Sequence, residues 1–350
     1  MKTPHRPEPH SLERGIFLKP YDRAVAATVR VGTCSWADET LTKVWYPPGV
    51  RSGEARLRHY TARFTTAEAN STYYRLPDAE LVGNWAERTP PGFTMHVKAF
   101  GLMTRHPVKL EALPDDLRDA MPVDARGRVD RPPRELRAEV FRRFARALEP
   151  LRSTGRLGGI LLQFPSYVVA KSASLEYIEW AQEQLPGDEL LVEFRHRSWL
   201  DEEHRAETLA FLESRGLTYV IVDAPKTEAL NLVPTVVART SRTAYVRFHG
   251  RNAGTWNKRT GSAAERFDHL YSGDELREWV EPLRELAGEA EQVFALFNNN
   301  GRSPMPAFGG LEGLDPYEVA GDPQKGLVAQ APANAMMLRQ ALADAGVAVA

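Results

Sequence analysis

The sequence predicts a single (β/α)8 barrel of the α/β class, a TIM barrel with loop insertions. Three observations carry this reading. Eight β-like runs start near residues 29, 66, 94, 158, 190, 218, 243 and 292. Four of the seven gaps between them are about 25 to 32 residues, the length of one βα unit. Most runs are nearly continuous in apolar residues, as parallel strands covered on both faces require.

In order, the runs are VRVGTCSW (Val29 to Trp36), TTAEANSTYY (Thr65 to Tyr74), TMHVKAF (Thr94 to Phe100) and LGGILLQFP (Leu157 to Pro165). They continue with LLVEFRH (Leu190 to His196), TYVIVD (Thr218 to Asp223), AYVRFHGR (Ala244 to Arg251) and QVFALFNNN (Gln292 to Asn300). Helical periodicity separates them, most clearly over Arg134 to Leu151, Ser174 to Leu185, Asp201 to Arg215, Asp274 to Gly288 and Asn334 to Ala345. Asp201 and Asp274 read as N-caps, and Gly216 and Gly288 as C-terminal stops. The long gaps hold excursions at 101–133 and 251–272, and a third insertion, 301–330, follows the last run. Residues 1–27 read as a mobile extension ahead of a barrel spanning 28–346. An open nucleotide-binding sheet would want G-x-G-x-x-G after its first strand; that turn here is GTCSWADE.

Composition narrows the class. Of 350 residues, 43% are hydrophobic and 26% charged, values of an ordinary globular chain. The net charge of −1 gives no global field toward nucleic acid or anionic membrane. No apolar run reaches the roughly 18 residues of a membrane span. The N-terminus has no apolar core of a secretory signal. With Cys34 the single cysteine, no intrachain disulfide can form, and a cytoplasmic location is expected.

The strand ends are where the chemistry is expected. Burying charge on a core strand costs several kcal/mol unless the charge is paired, yet five of these runs end in charged or amide residues. Residues two apart share a face. That pairs Glu68 with Asn70, His96 with Lys98, Glu193 with Arg195, and Arg247 with His249. With Gln163, Asp223 and Asn298 they would form a polar ring at the C-terminal face, where barrel enzymes carry their active sites.

Taken together, the motifs resemble the YecE-like family, a bacterial domain-of-unknown-function family with a TIM-barrel fold. They are GTCSW, ANSTYYRLP, W-x-x-x-TP before VKAF, GGILLQFP, VEFRHRSW, VDAP, YVRFHGRN, LYSGDELREW and FNNN. The resemblance runs in order from Val29 to Leu342. It implies the barrel but supplies no reaction. The family has been compared, as a prediction, with the metal-dependent barrel that cleaves DNA at abasic sites. Two departures stand out: Arg197 replaces the proline that usually follows VEFRH, and about 30 residues follow FNNN before APANAMML resumes the pattern.

Arg247, Arg251 and the Asn298–Asn299–Asn300–Gly301 loop form the first cluster, at the strand ends where barrels frequently bind phosphate. Arginine forks bind phosphate oxygens bidentately. The alternative is that Arg247 neutralises a carboxylate inside the barrel. The second cluster is Glu68, Glu193 and Asp223 with His249, suited to acid/base work or to a divalent metal. Arg195 beside Glu193 favours the ionised carboxylate. Four cations near three carboxylates argue against a dense metal cluster, so no metal ligand or cofactor is assigned. Cys34 has no activating base local in sequence and reads as a core thiol. Trp36, Trp45, Tyr73, Tyr74, Trp199 and Trp256 fall on the loops, where rings stack a sugar or base, or simply pack the rim. His196 points away from the axis by alternation. The basic run Arg131 to Arg152 is amphipathic, with its apolar stripe on Leu136, Val140, Phe141, Phe144, Leu148 and Leu151.

The expected function is therefore an enzyme, a hydrolase or lyase rather than an oxidoreductase, acting on a small anionic substrate such as a phosphate-bearing sugar or nucleotide. Glu193, Asp223, His249, Glu68 and Lys98 are the expected catalytic residues. Arg195, Arg247, Arg251, Asn70, Gln163, Asn298, Asn299, Trp36 and Tyr73 are the expected binding residues. The alternatives are a metal-dependent phosphodiesterase acting on nucleic acid, and a binding module without turnover. Residues 301–330 are expected to fold over the barrel mouth.

Overall fold

The computed structural model describes residues 13–14, 26–257, 263–304 and 326–350. Eight parallel strands close into a barrel. They are β1 (Val29–Thr33), β2 (Thr66–Ala69), β3 (Thr94–Lys98), β4 (Leu157–Gln163), β5 (Leu190–Glu193), β6 (Thr218–Asp223), β7 (Thr243–Phe248) and β8 (Gln292–Phe297). Closure is made by β8 pairing with β1, from Val293 against Val29 to Phe297 against Thr33. The strand starts match the sequence expectation.

The main covering helices are α1 (Gly53–Thr61), α2 (Ala79–Arg88), α3 (Arg134–Ala147), α4 (Ser172–Glu183), α5 (Arg205–Ser214), α6 (Val280–Glu289) and α7 (Gln330–Asp344). α3 buries Val140, Phe141 and Phe144 of the expected stripe, and Leu148 and Leu151 beyond it are buried too. Its Arg143 grips Asp116 with both terminal nitrogens, at 2.9 and 2.6 Å, tying down the 101–133 excursion. That excursion carries a small antiparallel ladder of Val108–Lys109 against Arg128–Val129.

Two expectations need correction. No helix occupies the crossover from β6 to β7, so the sixth βα unit is a loop. Pro225 and Pro234 bracket it, and each disfavours helical geometry in the residue before it. A short strand there, Val236–Val237, pairs in parallel with Glu13–Arg14, so this part of the N-terminal extension lies against the barrel wall. The caps also differ. Ser272, not Asp274, caps Gly273–Arg277, through a reciprocal capping box with Glu275. His204 precedes α5, and Asp201 accepts from the His204 backbone at 2.9 Å instead. Gly216, at φ +63°, is a C-terminal stop, whereas Gly288 lies inside the last turn of α6. Residues 305–325, most of the expected lid, lie outside the described residues.

The barrel interior has an apolar-aromatic lower layer. His96 packs edge-on against Phe294 and Tyr245, with ring centroids 4.4 and 4.7 Å away. The adjacent wall is Gly158, where a Cβ would stand 2.6 Å from His96 Cε1. The Gly158–Gly159 pair in LGGILLQFP thus makes room for an inward imidazole. Above this layer the inward residues become polar.

Candidate active site

Arg247 is the centre of the polar layer. It projects inward from β7, is wholly buried, and spends its fork on two carboxylates: Nη1 on Glu193 of β5 and Nη2 on Glu68 of β2, the latter at 2.7 Å. Burial opposes its charge, but the two carboxylates outweigh burial and hold the guanidinium well above its usual range. Its Nε is buried without a partner. An anion on Arg247, expected from the sequence, is therefore replaced by an internal ion pair.

Glu193 is the most heavily bonded acceptor. Gln163 Nε2 donates to it at 2.7 Å, Arg195 Nη1 at 3.0 Å, and His249 Nε2 lies 3.0 Å away. Burial pushes its carboxyl up, yet Arg247, His249 and Arg195 prevail and hold it well below the carboxylate range. Glu68 also accepts from Tyr245 Oη at 3.0 Å. His249 is buried, and burial pushes its imidazole down to about 3, so it is neutral. The Asn298 amide nitrogen lies 2.9 Å from His249 Nδ1.

Lys98, at the end of β3, stands differently. Its Nζ donates to the neutral Gln163 amide at 2.8 Å and lies 4.5 Å from the centre of the Tyr73 ring. It forms no ion pair among the described residues. Burial, then the Arg247 charge, push its amine down to about 8. The inward network thus holds three cations (Lys98, Arg195, Arg247) against two carboxylates (Glu68, Glu193) and a neutral His249. One positive charge is left over, and Lys98 carries it into a pocket.

That pocket, about 390 Å³, opens above the network. Its polar lining includes Asp38, Glu39, Glu68, Asn70, Lys98, Asn298 and Asn300, so Lys98 is the one cation there beside three carboxyl groups, with Trp36, Tyr74 and Phe267 as further walls. The Asn70 amide nitrogen is held by the Cys34 carbonyl, so its Oδ1 is left buried and unpartnered; Asn300 Oδ1 and Asp38 Oδ2 are in the same condition. Burial pushes the Asp38 carboxyl up to about 6. Arg195 does not line the pocket. Its side chain keeps 15% exposure and stacks over Trp256 at 5.0 Å. Cys34 is fully buried, and burial followed by the Glu68 charge pushes its thiol well up, which keeps it protonated.

Three expected site residues lie elsewhere. Asp223 pairs in register with Phe248, not Arg247, so alternation turns it to the outside of the barrel. There it accepts from Arg251 Nη2 at 2.6 Å, Tyr271 Oη at 2.8 Å and Trp279 Nε1 at 2.8 Å. Arg251 also reaches Glu278 at 2.8 Å. The pair fastens the 251–272 excursion and the following helices to the wall. Asn299 likewise points out, to the His269 carbonyl and Asn334 Oδ1, both at 2.8 Å. His196 instead accepts from Ser198 N and caps a short 3-10 turn. Asp38 and Tyr245 were not selected from the sequence, whereas Asn300 was named there with its loop. Tyr245 was open to discovery, because alternation extends the Arg247–His249 face back to it.

Among the described residues no three His, Cys, Asp or Glu side chains are grouped to hold a metal ion. The carboxylates of the network are occupied by Arg247, so the donor set does not fit a resident metal centre. No helix among the described residues is long and apolar enough to cross a membrane.

With this geometry in place, comparison with known proteins is informative. The model of the family described as "Protein of unknown function DUF72" matches residues 30–309. The chain belongs to the DUF72 family. This DUF72 chain is 30% identical over 276 residues to the UPF0759 protein YunF of Bacillus subtilis, covering 78% of this chain and 89% of YunF. It is 27% identical over 229 residues to the UPF0759 protein YecE of Escherichia coli K12, covering 61% and 74%. A DUF72 crystal structure from Thermotoga maritima is 30% identical, with a TM-score of 0.65, covering 90% of this chain and 99% of that one. One from Enterococcus faecalis is 20% identical with a TM-score of 0.68, covering 90% and 96%. The DUF72 matches agree with the expected YecE-like membership and barrel fold, and they name no substrate.

Proposed function

We propose that this chain is an enzyme that performs acid/base chemistry on a small anionic, hydroxyl-bearing substrate, of the sugar-phosphate kind, in the pocket above Arg247. The single observation that carries this reading is Lys98, a cation without an ion-pair partner among the described residues, lining the pocket. The Lys98 ammonium can pair with a substrate anion, and an amine held near 8 exchanges protons close to neutral pH. Glu68 supplies a carboxylate on the same lining. Asn70, Asn300 and Asp38 line the pocket with hydrogen-bonding groups, which suits a hydroxyl-bearing substrate. Trp36, with 7% exposure, and Phe267 offer faces for a sugar ring.

The test is a thermal-shift and calorimetric panel of inorganic phosphate, ribose 5-phosphate, glucose 6-phosphate, neutral glucose and nucleoside monophosphates. Sugar phosphates are expected to bind and to raise the melting temperature, neutral glucose to bind far more weakly, and Lys98→Met to abolish the difference. Equal binding of glucose and glucose 6-phosphate, or no binding by any anion at millimolar concentration, overturns the reading.

A further inference from the structure

We propose that Lys98 is a carbonyl-reactive amine that condenses with an anionic aldehyde or ketone bound in the pocket. This rests on the reading of the pocket given above and narrows its substrate to a carbonyl compound.

A lysine attacks carbonyl carbon only as the free amine. An ion pair suppresses that form, and desolvation beside other cations favours it. Lys98 has the second environment. Among the described residues its Nζ meets one neutral acceptor, Gln163 on β4, and one aromatic face, Tyr73 after β2. The charged groups acting on it are Arg247 from β7, Glu68 from β2, and Glu193 and Arg195 from β5. His106, from the loop after β3, is pushed by burial to about 3 and is neutral. The amine value of about 8 agrees with this balance. The pocket beside Nζ, about 390 Å³, has room for a small substrate.

The step balances. The free amine adds to the carbonyl carbon, forming the C–N bond and opening C=O to a hydroxyl on a carbinolamine. One proton from solvent or from Asp38 lets that hydroxyl leave as water. The nitrogen lone pair closes the C=N bond of a protonated imine. Hydrolysis of the imine returns the amine.

The experiment is reductive trapping on the full chain. Protein is incubated separately with dihydroxyacetone phosphate, glyceraldehyde 3-phosphate, pyruvate and pyridoxal 5′-phosphate, reduced with borohydride, and mapped by peptide mass spectrometry. At about pH 7 Lys98 should be labelled on the order of tenfold faster than an ordinary lysine amine. The rate should rise with a midpoint near 8. Lys98→Arg keeps the charge and should lose the adduct. Labelling of Lys98 no faster than of an ordinary lysine amine, or only after denaturation, overturns the proposal. If anions still raise the melting temperature in that case, the pocket reading stands and only the covalent step fails. If they do not, both fall.

Discussion

Arg247 and Glu68 meet at 2.7 Å with neither side chain exposed, although 179 positions separate them in the chain. Arg247 also holds Glu193, which Arg195 engages at 3.0 Å, so two guanidiniums balance the two carboxylates of the barrel interior. Arg247→Met should leave Glu68 buried without an ion-pair partner and Glu193 with Arg195 alone, and cost about 3–5 kcal/mol. Chemical denaturation reads this directly. A midpoint equal to that of the parent protein would mean that solvent, not Arg247, satisfies the two glutamates.

Lys98→Met should do the opposite and stabilise. The native amine loses its proton near 8, whereas the unfolded one does so near 10.4. Below about pH 8 the folded protein carries a desolvated charge, and the penalty disappears as pH rises from 8 toward 10.4. Screening by pocket water leaves a gain of about 1–2 kcal/mol for the methionine variant near pH 7. Melting curves at pH 7 and pH 10 should show that gain shrinking. A destabilised variant at pH 7 would contradict the unpaired environment assigned to Lys98.

Acid should unfold the protein early. Burial pushes His96 and His249 to about 3, while unfolded histidines take up protons near 6.5. Between those values the unfolded state binds more protons, so stability rises with pH and falls as pH drops below 6.5. Both His96 nitrogens lack partners, so a phenyl ring can replace the imidazole at little cost. His96→Phe should flatten the decline of melting temperature between about pH 6.5 and 4. An unchanged slope would place the acid sensitivity elsewhere, with Glu193 the next group to test.

Gly158→Ala should fail for steric reasons. The added Cβ would lie 2.4 Å from Thr94 Cγ2 and 2.6 Å from His96 Cε1. Both belong to β3, so the strand itself must shift, at about 1–3 kcal/mol. The double variant Gly158→Ala with His96→Ala should recover part of the loss. No recovery would assign the clash to Thr94 alone.

The barrel was legible because its signals are local: strand spacing and apolar continuity need no tertiary information. The inward polar set was legible for the same reason wherever alternation could be counted from a known inward residue, as for Glu68, Lys98, Glu193 and Arg247. It failed at Asp223, because the inward face of β6 is fixed by its register against β7, a non-local fact. The role of Arg247 was equally non-local. Sequence places an arginine on a strand end, but only the closed barrel brings Glu68 and Glu193 to either side of it. Asp38 lay beyond reach because its unpartnered oxygen depends on how the loop after β1 folds back over the pocket.

The span of the Glu68–Arg247–Glu193 bridge bears on how the chain acquires its fold. A half-barrel ending at β4 would contain Glu68 and Lys98 without Arg247, and the complementary half would contain Arg247 and Glu193 without Glu68. In neither fragment does Glu68 meet the arginine that engages it, so the bridge exists only across the closed barrel. The last strands made during synthesis carry the counter-charge for the first. The barrel is therefore built to fold as one cooperative unit, in which sealing the ring and forming this bridge are the same event.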